Sequence, residues 1–338
     1  MAKKVSIYNV AEAAHVSPAT VSYVINGKGK ISEKTKKEVI KAMNVMGYIP
    51  DHAAISLSTG KSKLIGLSLP YDDASNGMSS NPFYAEFISS FLKGLSLEGY
   101  DLVIGSLKSE KSLLSWLQSH SFEGLVLFGL YSGASLSALR KMGIPSVLVD
   151  VYNEEAHGFN NIRVNDLGGV YLATSYLIEK GHRHIAYAEG SSKSLLNQKR
   201  YEGYLQSLRY HKIPFREDFV FHTKTTFEDG TLLADALLPR LDEITAVVCD
   251  SDIVAIGLIH RFHELNIAIP DRLSVIGFDD IASANYIYPG LTTIRQDIGE
   301  KGRFAASCLM NAIQDKEQSP RTVVIEPKLI VRNSVKSL

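Results

Sequence analysis

The sequence predicts an α/β chain in two unlike parts: a short all-α helix-turn-helix headpiece, then a body of two doubly wound parallel-sheet subdomains. Three observations carry this expectation. From Leu64 onward, apolar runs of about five to seven residues alternate with amphipathic stretches, the pattern of strands covered on both faces by helices. That alternation runs twice, with a break near 161–165. Ahead of Leu64 the pattern is different, with short stretches of helical spacing and capping residues.

The first of these stretches is Val5 to Asn26, VSIYNVAEAAHVSPATVSYVIN. Ala11, Val16, Val21 and Val24 let two short helices cross steeply over a tight turn. Ser17 can cap the second helix by accepting a backbone N–H, and Pro18 then sits where its missing N–H costs nothing. The second helix, about Pro18 to Ile25, keeps a small, polar outward face of Ala19, Thr20, Ser22 and Tyr23. Such a face suits a DNA major groove. A helical hairpin inside a larger core would share the apolar positions, but the chain continues in the DNA-binding manner. Lys28 to Ile31 form a basic loop, and Ser32 with Glu33 opens a third helix to about Met46. Its apolar face is Val39, Ile40, Met43 and Met46, and Gly47 ends it. Pro50 breaks the chain. Asp51 can cap a short helix across HAAISLS before Gly60, too short to be stable alone.

Here the motifs IYNVAEAAHVS, TVSYVIN, GYIP and AAISL stand in one order and spacing. In them Val5 to Gly66 resembles the headpiece of the LacI/GalR (lactose- and galactose-repressor) family of transcription regulators. The resemblance implies a hinge helix within 51–62 that orders on DNA with a partner subunit. Leu57 would be its apolar wedge between base steps in the minor groove, the alternative being a plain linker with Leu57 facing the body. It also implies that Ser6, Tyr8, Ser17, Thr20, Ser22 and Asn26 position phosphates, that Pro18, Ala19 and Tyr23 read bases, and that Lys30 and Ala54 add contacts. Three positions depart from the family: Tyr23 stands for the usual Arg, His15 for the usual turn Gly, and Asp51 for the usual Asn. With no Arg in the headpiece, recognition leans on Tyr23, on thymine-methyl contacts from Ala19 and Pro18, and on DNA deformability. His15 must tolerate φ > 0, which His does better than most residues.

Charge agrees with this division. The 36 basic and 36 acidic residues cancel overall. Residues 1–63, however, hold ten Lys against four acids, a net +6, which leaves −6 for the rest. A basic head on an acidic body directs phosphate attraction to one end. At 338 residues the chain suggests two or three domains, and 45% hydrophobic content suffices for large cores. No apolar run approaches the roughly 18 residues of a membrane span. The start MAKKVSIYNV has no apolar stretch behind its charge, so export is not expected. Cys249 and Cys308 give neither a disulfide framework nor metal-ligand spacing, and a reduced cytoplasm is the expected location.

In the body the predicted strands are LIGLSL, YDLVIGS, GLVLFGL, PSVLVDV and NIRVN, then HIAYAEG, DFVFHT, TAVVCDS and LSVIGFDD. Helices are expected at 82–98, 110–119, 135–142, 166–180, 197–210, 229–240 and 252–265. The tail RTVVIEPKLIVRNS reads as strands that return across both halves. The division is therefore headpiece 1–50, hinge and linker 51–62, and body 63–338, with an N-subdomain of 63–162 plus 293–322 and a C-subdomain of 163–292 plus 323–338. Ligands of such sheets bind at the carboxyl ends of the strands, so a cleft between the halves is the expected site. The resemblance extends to the C terminus through NPFYAEF, GHRHIAY, KRYEGY, CDSDIVAIG, IPDRLSVIGFDDIA and LTTIRQDIGEKG, and implies a periplasmic-binding-protein-like body. No leucine heptad follows, so the tetramerising appendage of the lactose repressor is not expected.

The resemblance assigns Asp150, Arg200 and Asp279 to polar effector contacts, Phe83, Tyr84 and Phe227 to aromatic ones, and Ser251 to a position where some members have Asn. Carboxylates accept from vicinal hydroxyls and a guanidinium donates to ring oxygens, which is sugar-recognition chemistry. A plain Asp279–Arg200 pair over core aromatics would leave the same sequence trace. YDDASNGMSS, residues 71–80, is either a flap over the cleft or a loose loop. Catalytic readings fail: GKS at 60–62 lacks the first glycine of a phosphate loop, no G-x-G-x-x-G follows a strand, and no nucleophile elbow is present. His182 and His184 read as turn and surface residues, and neither cofactor nor metal is called for. The expected function is an operator-binding regulator, a repressor of carbohydrate-use genes. It would act as a homodimer on pseudo-palindromic double-stranded DNA under a sugar or sugar-phosphate effector, with a protein corepressor as in some relatives left open. A sugar receptor with an idle head and an α/β enzyme with a fused head are the competing readings.

Overall fold

The computed structural model describes residues 5–27, 29–50, 61–70, 81–96, 98–107, 109–129, 132–190, 194–314 and 319–338. It divides into two compact units, 1–64 and 65–338.

In the first unit, α1 (Ile7–Ala13), α2 (Pro18–Ile25) and α3 (Glu33–Met46) each start at a serine whose hydroxyl accepts an N3 amide: Ser6, Ser17 and Ser32. Gly47 closes α3 in the left-handed region at φ 61°. His15 makes the turn between α1 and α2 at φ 54°, as the sequence required. Val10, Ala11, Ala14, Val21 and Val39 form the small core, with Val16, Val24, Ala42, Met43 and Met46 packed around it. Ile40 corrects the expected α3 face: it is 43% exposed. The stripe packed on the core is the buried Val39 with the half-buried Ala42, Met43 and Met46, and one residue on from Val39 the helix has turned by about 100°.

The second unit contains both predicted sheets. The first uses β1 (Leu64–Pro70), β2 (Asp101–Leu107), β3 (Gly124–Phe128), β4 (Ser146–Val149), β5 (Asn160–Val164) and β11 (Thr322–Ile325), in the order β11-β5-β4-β3-β1-β2. The second uses β6 (Ile185–Glu189), β7 (Val220–His222), β8 (Ala246–Cys249), β9 (Ser274–Asp279), β10 (Thr292–Arg295) and β12 (Lys328–Ile330), in the order β12-β10-β9-β8-β6-β7. Every pairing in the second sheet is parallel except β10 with β12, an antiparallel edge. The helices are α4 (Pro82–Ser96), α5 (Glu110–Ser119), α6 (Gly133–Met142), α7 (Asp166–Glu179), α8 (Leu195–Tyr210), α9 (Phe227–Leu237), α10 (Asp252–Glu264) and α11 (Ile298–Gln314). Among these described residues no helix is long and apolar enough to cross a membrane.

The chain passes between the sheets three times. The first passage follows β5, close to the expected break. The second and third lie a few residues beyond the expected 292/293 and 322/323 boundaries. β10 stays in register with β9, Thr292 to Arg295 against Ile276 to Asp279, before α11 returns to pack on α4. β11 likewise pairs with β5 through Ile325 before β12 joins the second sheet. Ladder hydrogen bonds and the buried Thr292, Thr293 and Ile294 hold β10 in place, so the crossing waits for its end. His182 also departs from its surface reading: it is buried, with Nδ1 at 3.0 Å from Thr245 Oγ1 and Nε2 at 3.2 Å from the Lys336 carbonyl.

Candidate headpiece face and ligand cleft

On the headpiece, α2 presents Ala19 and Tyr23 to solvent, with Tyr23 48% exposed and Tyr8 of α1 70% exposed. Pro18, Thr20, Ser22 and Asn26 are half-buried beside them. The Ser17 hydroxyl accepts the Thr20 amide at 3.1 Å and lies 2.9 Å from the Thr20 hydroxyl. Ser6 is engaged likewise, its hydroxyl donating to Asn9 Oδ1 at 2.7 Å. Asn26 Nδ2 donates to Ser22 Oγ at 3.2 Å. These hydroxyls thus build the helix starts and ends first, which leaves Tyr23, Ala19 and Tyr8 as the projecting side chains. Lys30 is exposed beyond α2, and Lys34, Lys37 and Lys41 are exposed along α3. The hinge expected within 51–62, with Ala54 and Leu57, and the 71–80 loop fall on residues outside those described, save 61–62.

In the body, polar side chains converge where the carboxyl ends of the two sheets meet. Asp150 ends β4 at φ 55°, and both its oxygens accept from Lys301 Nζ, at 2.9 and 2.8 Å. Lys301, on α11, is wholly buried and lies 5.3 Å from the Phe83 ring centroid. Its ammonium also donates to Gln296 Oε1 at 2.5 Å, and Gln296 Nε2 donates to Asp279 Oδ1 at 2.5 Å. Asp279 ends β9 at φ 116°, a backbone region L-residues rarely occupy, and such strain gathers at functional sites. Arg200 of α8 donates from Nε to Asp166 Oδ1 at 2.7 Å, from Nη1 to the Asp250 carbonyl, and places Nη2 3.7 Å from Asp279 Oδ1. Its guanidinium lies over the Phe278 ring at 3.7 Å. Tyr152, just after β4, completes the circuit by donating to Asp166 Oδ2. Groups of both subdomains and of the crossing strand are therefore bonded into one chain.

Burial dominates the electrostatics. It raises Asp279 to about 7, against the pull of Arg200 and Gln296. Asp150 is raised as well, by burial first, with Lys301 opposing. Arg200 loses hydration on burial, but Asp166, Asp279 and Asp250 outweigh that loss and hold it charged. Asp252, which accepts from the Ile281 amide at 2.9 Å and the Thr293 hydroxyl at 2.5 Å, is raised by burial and by Asp279. It fixes the turn that follows Asp279.

Of the expected effector residues, Asp150, Arg200 and Asp279 come together through these bonds, and Ser251 is buried at the start of α10. Phe83 and Tyr84 come together too, edge to face at 5.3 Å, with Phe128 at 6.2 and 5.8 Å from them. Phe227 does not join them. It starts α9 and its ring packs on His260 of α10 at 5.3 Å. Asp166, Asp250, Gln296, Lys301 and Tyr152 were not foreseen. Asp250 had a signal, since CDSD sets three polar residues directly after an apolar strand. Lys301 had none, being one lysine in an amphipathic helix 151 positions from its partner.

Residues 6–51 match the family model for bacterial regulatory proteins of the lacI family, and 174–335 match that for a periplasmic binding protein-like domain. The chain is 32% identical to the HTH-type transcriptional repressor PurR of Vibrio parahaemolyticus, over 98% of this chain and 99% of the relative. It is 32% identical to the ribose operon repressor of Haemophilus influenzae, over 98% of each. The solved lac repressor dimer bound to operator and the anti-inducer ONPF shares its fold, with a TM-score of 0.84 at 23% identity over 99% of this chain and 100% of that one.

Proposed function

The chain belongs to the LacI family of DNA-binding transcriptional repressors, and from that premise we propose that it represses carbohydrate-use genes under control of a sugar-like effector bound in the cleft. It acts as a homodimer on a pseudo-palindromic operator. The dimeric, operator-bound state of the lac repressor structure supports this geometry, and the name of the ribose operon repressor supports the sugar class. One observation carries the reading: Asp150, Arg200 and Asp279, from both subdomains, belong to a single buried polar cluster at the strand ends. Acceptors and a planar donor at close quarters suit a polyhydroxylated ring, with Phe83 and Tyr84 as its aromatic neighbours.

On the head, Tyr23, Ala19 and Pro18 read bases while Ser6, Tyr8, Ser17, Thr20, Ser22, Asn26 and Lys30 face the backbone. Leu57 and Ala54 serve the hinge at the minor groove. The effector acts by linkage, since a ligand that binds one arrangement of the subdomains better than the other shifts DNA affinity by the same free energy, about 1–3 kcal/mol. Whether it induces or corepresses depends on which arrangement it prefers.

Selection of genomic DNA fragments by the full-length protein at low salt tests the function. Enrichment of a shared pseudo-palindrome upstream of sugar-uptake or sugar-catabolic genes is the expected result. Enrichment beside genes of unrelated metabolism removes the carbohydrate assignment, and no enrichment at all removes the operator reading.

A further inference from the structure

At the carboxyl ends of three neighbouring strands, β6, β8 and β9, one carboxylate is short of donors. Asp250 directly follows β8 and is 1% exposed. Neither of its oxygens completes a hydrogen bond of normal geometry among the described residues. Arg200, a cation that acts on it, is committed elsewhere: to Asp166, to the Asp250 main-chain carbonyl and towards Asp279. Gly190, at the end of β6, is pressed close, for a Cβ there would lie 2.3 Å from Asp250 Oδ2 and 2.4 Å from Asn197 Nδ2.

Two neighbours share this shortage. Ser251 stands at the N-cap of α10, where a serine ordinarily accepts a helix amide, yet its buried hydroxyl has no partner among the described residues. The buried Tyr187 hydroxyl on β6 likewise has no partner among the described residues. Among the described residues the wider cluster holds Asp150, Asp166, Asp250 and Asp279 against Arg200 and Lys301, and Lys301 is already held by Asp150 and Gln296. An added phosphate would therefore meet an excess of buried negative charge, where the low dielectric magnifies repulsion. Hydroxyl or ammonium donors would instead satisfy acceptors that the protein leaves open.

We infer that the effector presents hydrogen-bond donors and no negative charge to this wall of the cleft, as an unphosphorylated or amine-bearing sugar does, and that Asp250 is the residue that selects it. This inference rests on the effector reading above. The protein bears the cost of a buried carboxylate that is short of donors among the described residues, as sites kept for a ligand do.

Asp250→Asn, nearly isosteric, tests the inference in the full-length protein. Without ligand the variant melts higher at pH 8, by about 2 °C or more. The gain shrinks as the pH falls below about 6 and disappears below about 3.8. Burial raises Asp250 from 3.8 to about 6, with Arg200 and the nearby Gly190 amide opposing and Glu189 adding. The carboxyl therefore destabilises the fold increasingly as pH rises from about 3.8 to about 6, fully above that, and not at all below about 3.8. Among the described residues the titratable and charged groups around it are Arg200 on α8, Tyr187 and Glu189 on β6, Cys249 on β8, Asp279 on β9, Asp252 on α10 and Asp166 on α7. A lower melting point at pH 8 would show that the fold itself needs the carboxylate, and would overturn the inference.

Calorimetry then uses glucose, ribose, cellobiose, glucosamine, glucose 6-phosphate, ribose 5-phosphate, adenosine and AMP. An uncharged or amine-bearing sugar is expected to bind and to lose about tenfold or more in Asp250→Asn, the worth of a charged hydrogen bond. Phosphorylated sugars are expected to be rejected. Binding of the phosphorylated sugars alone overturns the inference and leaves the sugar-effector reading standing. Binding of adenosine alone does the reverse. Equal affinity in Asp250→Asn overturns Asp250 as the selector, and no binding by any member overturns both readings.

Discussion

Tyr23 stands where a family member usually offers Arg, and the structure leaves its ring exposed on α2 beside Ala19. Tyrosine has one hydroxyl where Arg has a bidentate fork, so it discriminates bases less strongly. Tyr23→Ala is expected to relax preference at one position per half-site by about 1 kcal/mol or more, read by competition with single-base operator variants. A uniform loss across all variants would make Tyr23 a backbone contact. Side chains like this were readable because local pattern decides them: Ser6, Ser17 and Ser32 cap, Gly47 stops α3, and His15 takes the left-handed turn. Asp150 was readable as a residue ending a strand, but not the Lys301 that grips it. Helical spacing says where a lysine sits on its own helix, while its complete burial depends on α11 returning across the first sheet. Phe227 failed for a related reason: an aromatic beside a helix start can face the cleft or the next helix, and here α10 takes it.

The alternation of apolar and amphipathic segments placed the sheets and their helices because parallel strands covered on both faces leave no polar period to confuse the count. What it could not place was the exact residue at which the chain changes sheet. Thr292, Thr293, Thr322 and Val323 can serve in either sheet, and pairing with β9 and β5 decided the matter. Close helix contacts are another property of pairs of segments. A Cβ on Gly257 would lie 2.1 Å from the Phe227 carbonyl oxygen, so α9 and α10 meet backbone to backbone there. Alanine improves helix propensity over glycine by about 1 kcal/mol. Overpacking at such a contact costs about 1–3 kcal/mol, so Gly257→Ala is expected to lower the melting temperature of the body on balance. A higher melting temperature would mean that α9 and α10 slide apart freely.

The two units divide the work by charge as well as by fold. A head of net +6 attracts phosphate, and a body of net −6 does not. DNA affinity should then fall steeply with salt, by a log–log slope of about 0.9 per neutralised phosphate. Within the body, Asp150, Lys301, Gln296, Asp279, Arg200, Asp166 and Tyr152 link the subdomains through side chains. A hydroxyl-rich ligand that displaces any of these bonds changes the relative stability of the subdomain arrangements, and DNA affinity must follow by linkage. The direct measurement is the affinity of the full-length protein for its genomically selected DNA, by fluorescence anisotropy at fixed salt, with and without saturating ligand from the calorimetric panel. The account predicts a shift of about 5- to 150-fold in either direction that Asp279→Ala abolishes while ligand-free DNA binding persists. An affinity unchanged by a ligand shown to occupy the cleft would contradict it.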